Sequence, residues 1–218
     1  MIFTTDSINY DNMEGLLRIE FTSHYGLSVC TTTDITFVTN ESYFEIEDTD
    51  AKEIVLHTIR GRGMANFSNP NKLQITVANY DKFVSSLPHS FHNGRKRCDI
   101  LVSTDNDQYF MLGELKNRNI SDKVSRQNVR KGAKEQLFQS LKTLTDVPEI
   151  LNYVDKKSIK RCCYFNKKSK SPKILNVITA FNRLTSAFPN GFKMPQLNFE
   201  ALNFEFWEYT GEQTLTMI

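Results

Sequence analysis

The first 60 residues partly alternate between apolar and polar positions, a pattern typical of half-buried β-strands. Three segments combine it with β-branched and aromatic residues: LLRIEFT (16–22), DITFVT (34–39) and YFEIE (43–47). After these segments the spacing of apolar residues changes to helical intervals, at Ala51, Ile54, Val55 and Ile59. The segment begins with acidic residues, which are favoured at a helix N-terminus. The pattern therefore predicts strands up to residue 47 and a helix over 50–59.

Short elements separated by loops are predicted from residue 61 to residue 97. GRGMANFSNPN (61–71) has the composition of a loop, and KLQITVA (72–78) that of a strand. YDKFVSSL (80–87) predicts a short helix that ends before Pro88, and SFHNGRKR (90–97) predicts a basic turn.

A long helix is the clearest element of the second half. SDKVSRQNVRKGAKEQLFQSLKTLTD (121–146) has Ser121 as its expected N-cap and Pro148 beyond its end. It carries one apolar stripe, formed by Ala133, Leu137, Leu141 and Leu144. KRCCYF (160–165), KILNVITAF (173–181) and FEFWEYT (204–210) then predict strands, with a basic loop at 166–173. This order indicates an α/β fold with a central mixed β-sheet flanked by helices.

Length and composition favour one cytoplasmic domain over residues 1–218. Hydrophobic residues make up 39% of the chain and charged residues 24%, which allows a packed core. No apolar run approaches the roughly 20 residues of a membrane helix, and the start MIFTTDSINYD lacks the features of a secretory signal. The four cysteines form no CxxC pair, so we expect free buried thiols in a reducing compartment.

Charge is distributed unevenly along the chain. Residues 1–58 hold eleven acidic side chains against two Lys or Arg, whereas 116–134 hold seven basic against one acidic, and 156–173 hold eight basic and none acidic. Such asymmetry indicates a polyanionic partner for the basic part, although basic residues on solvated faces would give the same count.

The segment KRCDILVSTDNDQYFMLGELKNRN (96–119) places charges among apolar residues. If Asn106 and Asp107 form a two-residue hairpin turn, Asp99 lies directly opposite Glu114. Because side chains alternate along a strand, Lys116 falls on the same face as Glu114. This register predicts one cluster of two carboxylates and an ammonium, with apolar residues on the opposite face.

Two neighbouring carboxylates repel each other unless a proton or cation lies between them. A hard divalent ion such as Mg²⁺, for which Mn²⁺ substitutes, resolves this repulsion, and Lys116 can then face an anion held by the metal. These are the groups needed for phosphodiester hydrolysis. The alternative is a surface salt bridge of Glu114 with Lys116 or Arg118 on a hairpin with one solvated face.

An Asp on one strand (CDILV), a hairpin, then Glu-x-Lys on the next strand (GELK) followed by a helix resembles the PD-(D/E)XK, or restriction-endonuclease-like, superfamily. The resemblance covers about 50 residues, and Cys98 replaces the Pro of the family name. It implies that Asp99, Glu114 and the carbonyl of Leu115 bind the metal and that Lys116 positions or activates the water. It also implies a helix Gln, Gln136 or secondarily Gln139, and an early Glu, for which Glu53 is the first candidate before Glu14 and Glu20.

The expected function is therefore a Mg²⁺-dependent endonuclease on DNA, with RNA as the alternative substrate. The expected phosphate contacts surround the proposed site in sequence: Arg95, Lys96, Arg97, Arg126, Arg130, Lys131 and Lys134. The domain would consist of an acidic β-rich part (1–60), a catalytic core (95–145) and C-terminal strands (146–218). By analogy we expect a bacterial restriction or defence nuclease, as a homodimer or as a subunit of a larger complex. The alternative is a non-catalytic nucleic-acid-binding or complex-assembly protein with a degenerate nuclease fold.

Overall fold

The computed structural model describes residues 12–117, 123–167 and 190–217. The strands in these ranges are β1 (Thr36–Thr39), β2 (Tyr43–Asp48), β3 (Ile54–His57), β4 (Ala65–Ser68), β5 (Ile75–Asn79), β6 (Ile100–Thr104), β7 (Tyr109–Lys116), β8 (Ile159–Asn166), β9 (Phe192–Met194), β10 (Glu205–Thr210) and β11 (Thr214–Thr216). The first helix, α1, has three consecutive segments: Met13–Gly15, the π-helical Leu16–Phe21, and Thr22–His24. The others are α2 (Tyr80–Ser85), α3 (His89–His92), α4 (Lys123–Thr145), α5 (Pro148–Asp155) and α6 (Leu197–Glu200).

A seven-stranded sheet in the order β1-β5-β6-β7-β8-β10-β9 forms the centre of the molecule. The strands from β1 to β7 pair antiparallel, β8 runs parallel to both β7 and β10, and β9 is antiparallel to β10. The predicted α/β class with a mixed sheet is therefore confirmed. The helices cover one face of this sheet, where α4 packs its Ala133, Leu137 and Leu141 into the core.

A second sheet of four strands, in the order β11-β4-β2-β3, covers the other face. Its Phe44, Ile46 and Phe67 share a core with Val102 and Met111 of the large sheet. The short β11 near the chain end pairs parallel with β4, so the C-terminal residues complete a sheet that otherwise comes from residues 43–68. The acidic N-terminal part and the C-terminal strands are therefore interleaved in space.

The predicted register of the central hairpin is confirmed. Ile100 pairs with Gly113 and Leu101 with Leu112, which places Asp99 opposite Glu114. Leu101 and Leu112 lie in the core under the helices, whereas Ile100 packs toward the small sheet. The charged residues therefore share the helix-covered face of the sheet, as the alternation of side chains requires.

The connection between β6 and β7 differs from the expected two-residue turn. It contains the four residues 105–108, and the register survives because the loop is lengthened equally on both sides. The buried Lys157 organises this loop: its Nζ donates to the carbonyl oxygens of Thr104 at 2.8 Å and of Asn106 at 2.6 Å. Both acceptors are backbone groups, and the same ammonium lies 3.9 Å from the Asp107 Oδ1 in the loop.

The strand prediction for residues 16–22 is wrong, because this segment belongs to α1. Its buried residues Met13, Leu16, Leu17 and Phe21 follow helical spacing. Asn12 caps the helix by accepting a hydrogen bond from the Gly15 amide at 2.8 Å. Asn12 and the helical spacing of positions 13, 16, 17 and 21 are the sequence signals for this helix. The partial alternation of apolar and polar residues over 16–22 obscured them.

The helix predicted over 50–59 is also wrong, because residues 54–57 form β3 and pair with β2. Lys52 in the connecting turn has φ +60°, a left-handed conformation that an α-helix does not contain. The loop predicted over 61–71 contains β4, and the turn predicted over 90–97 contains the last part of α3. Helix α5 was not predicted, although Pro at its first position is a favoured helix start.

Strands near 34–39, 43–47, 72–78, 160–165 and 204–210, the helix over 80–87 and the long helix α4 are confirmed. The expected cap Ser121, the strand over 173–181 and most of the basic loop 166–173 lie outside the described residues.

Candidate functional site

Asp99, Glu114 and Lys116 lie together where β6 begins and β7 ends. The Lys116 Nζ is 4.0 Å from the Asp99 Oδ2 and forms an ion pair with the Glu114 Oε1. Backbone bonds hold Asp99 in place, because its amide donates to the Gly113 carbonyl at 3.1 Å and its Oδ2 accepts from the Leu115 amide at 2.6 Å. The predicted cluster of two carboxylates and one ammonium therefore exists in the structure.

Glu114 is fully buried, with 0% of its surface exposed. Its Oε2 has no hydrogen-bond partner among the described residues, and its Oε1 has only the Lys116 ammonium. Burial, with the nearby Asp99 carboxylate, raises the pKa of Glu114 well above its usual value, although Lys116 lowers it. The ion pair with Lys116 is thus not the surface salt bridge of the alternative interpretation.

Asp99 is also buried, with 9% of its surface exposed. Desolvation raises its pKa to about 6, against the lowering effects of Lys116 and of the Leu115 amide. Both carboxyl groups have raised pKa values, so ionising the two together is costly in free energy. A bound cation would lower that cost.

A cavity of about 360 Å³ opens beside Asp99. Its other lining residues come from four parts of the chain: Lys52, Asp81, Arg95, Lys96, Arg97, Gly132 and Gln136. Gln136 therefore faces the same cavity as Asp99, and its Nε2 donates to the Arg97 carbonyl at 3.0 Å. Gln139, the second choice for the helix Gln, lines a neighbouring groove of about 630 Å³ instead.

Two acidic residues near the cluster were missed by the sequence analysis. Asp81, in the first turn of α2, lines the cavity and forms an ion pair with Arg97. Its amide and that of Tyr80 both donate to the Asp99 carbonyl, at 3.2 and 2.9 Å. Asp48 ends β2, and burial and Asp81 raise its pKa while Lys116 lowers it, so Asp48 is within electrostatic range of the cluster. Neither residue has a local sequence signal, because each reaches the site from a distant element.

Glu53 lies apart from this cluster. It precedes β3 rather than sitting on a helix, and its Oε2 accepts from the Lys82 Nζ at 2.9 Å near the surface. The runner-up Glu14, on α1, accepts from the Arg18 Nε at 2.7 Å and from the Thr36 hydroxyl of β1 at 2.5 Å. The structure places Asp81, and neither of these glutamates, in the cavity beside Asp99.

The basic residues predicted to bind phosphate divide into two groups. Arg95, Lys96 and Arg97 line the cavity, although Lys96 also pairs with Glu135. On α4, Arg130 forms an ion pair with Glu208. The Lys134 Nζ lies 5.2 Å from the Phe206 ring centroid. The side chains of Arg130 and Lys134 therefore both contact residues of β10. Lys131 is exposed, and the side chain of Arg126 lies outside the described part of the structure.

No group of three or more His, Cys, Asp or Glu side chains suited to a metal occurs within residues 12–117, 123–167 and 190–217. A Mg²⁺ site needs fewer protein ligands, since this ion retains several waters and binds one or two carboxylates plus substrate oxygens. The unpartnered Glu114 Oε2 beside Asp99 fits that requirement. The predicted third ligand is the carbonyl of Leu115, the residue between Glu114 and Lys116.

Comparisons with family models, curated proteins and solved structures found no match for this chain. Among the described helices none combines the length and apolar character needed to cross a membrane.

Proposed function

We propose that this chain is a metal-dependent nuclease with a restriction-endonuclease-like fold, hydrolysing phosphodiester bonds of DNA. One observation carries the proposal: Glu114 is fully buried with an unpartnered carboxylate oxygen, opposite Asp99 and in contact with Lys116. A fully buried carboxylate with an unpartnered oxygen is costly in free energy, and structures retain such groups mainly where they serve a ligand or a reaction. The strand–hairpin–strand–helix order of β6, β7 and α4 supports the same assignment.

Asp99, Glu114 and the Leu115 carbonyl would hold the divalent ion, Mg²⁺ or Mn²⁺. When bound, such an ion polarises a phosphoryl oxygen and lowers the pKa of a coordinated water. The cost of burying two carboxylates is then offset by the ion, so metal-free protein must hold them partly protonated or paired with Lys116. Metal affinity should therefore fall as pH drops toward the pKa of Asp99.

Lys116 pairs with Glu114 in the absence of ligand. Once a cation compensates Glu114, the ammonium is available to stabilise negative charge that develops on the phosphate. Gln136 lines the cavity with one amide hydrogen committed to the Arg97 carbonyl, which fixes the carboxamide for contact with substrate.

Cationic side chains around the cavity favour a polyanionic substrate. Arg95, Lys96 and Arg97 border it, and Lys131 is exposed on the neighbouring helix. Such contacts give salt-sensitive affinity without sequence information. RNA presents the same phosphates, and competition between DNA and RNA substrates separates the two. A cytoplasmic restriction or defence role, as a homodimer or within a complex, is the biological setting that this chemistry suits.

Incubation of the purified chain with supercoiled and linear DNA, with Mg²⁺ or Mn²⁺ and then with EDTA, tests the proposal. We expect cleavage that requires the metal and disappears in Glu114→Gln and Lys116→Met. A matched control is Glu41→Gln, an exposed glutamate, which should cleave like the wild type. Intact DNA with the wild-type chain under every divalent ion would overturn the nuclease proposal.

A non-catalytic nucleic-acid-binding protein is the second candidate. The observation in its favour is that the described residues contain no cluster of three metal-binding side chains. In that case DNA binding would persist without divalent ions and no strand would be cut.

A further inference from the structure

The carboxyl ends of β7, β8 and β10 meet at one edge of the large sheet, because these strands run parallel. Open α/β sheets bind their ligands at such an edge. Lys116, Asn166 and Thr210 are directly paired across the three strands. Paired residues of a parallel ladder share a face, so the Asn166 side chain lies on the helix-covered face next to Lys116.

Asn166 is a buried polar residue at the end of β8. It is 8% exposed, and its Oδ1 is buried without a hydrogen-bond partner among the described residues. Thr210 on its other side is engaged, because its amide and hydroxyl lie 2.8 and 3.4 Å from the Gln213 Oε1. A buried amide acceptor without a donor destabilises a fold, so its presence needs another explanation.

Lys116 is paired with Asn166 and is the neighbouring side chain through which a donor can reach the Asn166 Oδ1. Lys116, the paired residue on β7, directs its Nζ toward Glu114, two residues earlier on the strand, and toward Asp99, which lies opposite Glu114. A water that accepts a hydrogen bond from the Lys116 ammonium can donate one to the Asn166 Oδ1, which gives this buried acceptor a donor. These two contacts fix two of the four hydrogen-bonding positions of the water. Such a water has a defined orientation beside the two carboxylates.

We infer that Asn166 is a further catalytic residue, whose Oδ1 accepts a hydrogen bond from the water that attacks the phosphodiester. This inference rests on the proposed nuclease function. The water oxygen bonds to phosphorus as the ester P–O bond breaks; one water proton passes to the leaving oxygen, and the other stays on the new phosphate monoester. Asn166 takes up no proton and serves only to aim a lone pair of the water at phosphorus.

Single-turnover and steady-state cleavage of a duplex oligonucleotide with Mg²⁺ tests this role in Asn166→Ala and Asn166→Asp. We expect Asn166→Ala to lower kcat about tenfold to a hundredfold with KM unchanged, since water orientation matters only in the chemical step. Its Tm in EDTA should not fall, because the change removes an unsatisfied acceptor. Asn166→Asp keeps an acceptor at the same atom and should retain more activity than the alanine variant.

Asn66→Ala is the matched control. Asn66 is also a buried strand asparagine, 4% exposed, but it lies in the small sheet and its Nδ2 donates to the Gln213 carbonyl at 3.4 Å. This variant should lose Tm and keep kcat.

A wild-type kcat for Asn166→Ala, equal activity of the Ala and Asp variants, or a Tm loss in Asn166→Ala like that of Asn66→Ala would each overturn the inference while leaving the nuclease proposal standing. Absence of cleavage by the wild type would overturn both.

Discussion

Glu45 and Glu114 are both fully buried strand glutamates, each with 0% of its surface exposed, yet their surroundings are opposite. Glu45, on β2, accepts from the Tyr43 hydroxyl at 2.5 Å and from the amides of Gly61 at 2.7 Å and Gly63 at 2.5 Å. Glu114 has an unpartnered oxygen and a single cationic neighbour. Equal burial therefore produces one satisfied carboxylate and one unsatisfied carboxylate.

The pKa values of the two groups separate accordingly. Burial alone would raise the pKa of Glu45, but its hydrogen bonds, with Lys167 nearby, hold it below the usual value. Burial raises the pKa of Glu114 far above it. The first arrangement stabilises the 60–63 loop, where a Cβ on Gly63 would lie 2.5 Å from the Glu45 Cβ. The second leaves a carboxylate oxygen unpartnered, which is where the proposed cation would gain free energy.

Glu114→Gln should give the largest effect. It removes a charge needed for the ion and for the interaction with Lys116, so cleavage should fall at least about a thousandfold, a barrier increase of about 4 kcal/mol. The metal-free variant should be as stable as the wild type or more so, because a buried charge is lost while the partly exposed Lys116 keeps Asp99 at 4.0 Å. Initial cleavage rates and urea unfolding in EDTA measure the two quantities, and a marked loss of stability would assign Glu114 to the fold.

Glu45→Ala should give the reverse result. It leaves the amides of Gly61 and Gly63 without their acceptor, and loss of hydrogen bonds to a charged group should reduce the free energy of unfolding by about 3 kcal/mol. Cleavage at a temperature where the variant is folded should stay within about twofold of wild type, since Glu45 contacts neither Asp99 nor Lys116. Equal stability of variant and wild type would remove the contrast between the two glutamates.

Asp99→Asn should show a pH-dependent gain in the stability of the metal-free protein. The pKa of Asp99 is raised from 3.8 to about 6, so the folded state binds more protons than the unfolded state between these values. Stability from this group is therefore highest below pH 4 and is lost as pH rises to about 6. Above that, the variant should exceed the wild type by up to about 3 kcal/mol, and below pH 4 the two should converge.

Unfolding midpoints in urea between pH 4 and pH 8, all in EDTA, measure this difference. A constant gap across the range would mean that Asp99 does not titrate there.

Lys131→Ala should give the smallest effect. An exposed lysine that neutralises one phosphate contributes about 0.9 to the slope of log K against log salt for duplex DNA, so the slope should flatten by about that amount. Lys156, exposed between α5 and β8 at the opposite end of the sheet, is the control whose replacement should not change the slope. Identical slopes for wild type and Lys131→Ala would exclude Lys131 from the phosphate interface.

The sequence predicted the relative positions of Asp99, Glu114 and Lys116 because register and alternation are local rules of a hairpin. The lengthened loop at 105–108 did not disturb them, since the strands still pair in the same register. The sequence could not predict that Asp81 and Asp48 lie near Asp99, because tertiary packing brings them there from distant elements. Glu53 was selected for a helix that does not form, because the left-handed Lys52 turns the chain into β3 instead. Local pattern thus predicted the pair of strands, and only packing revealed their surroundings.

Calorimetric titration of the metal-free chain with Mn²⁺ tests the central claim most directly. We expect saturable binding that is lost in Glu114→Gln, weakened in Asp99→Asn and retained in Glu45→Gln. Equal Mn²⁺ binding by the wild type and Glu114→Gln, or no binding by the wild type with folding intact, would contradict it.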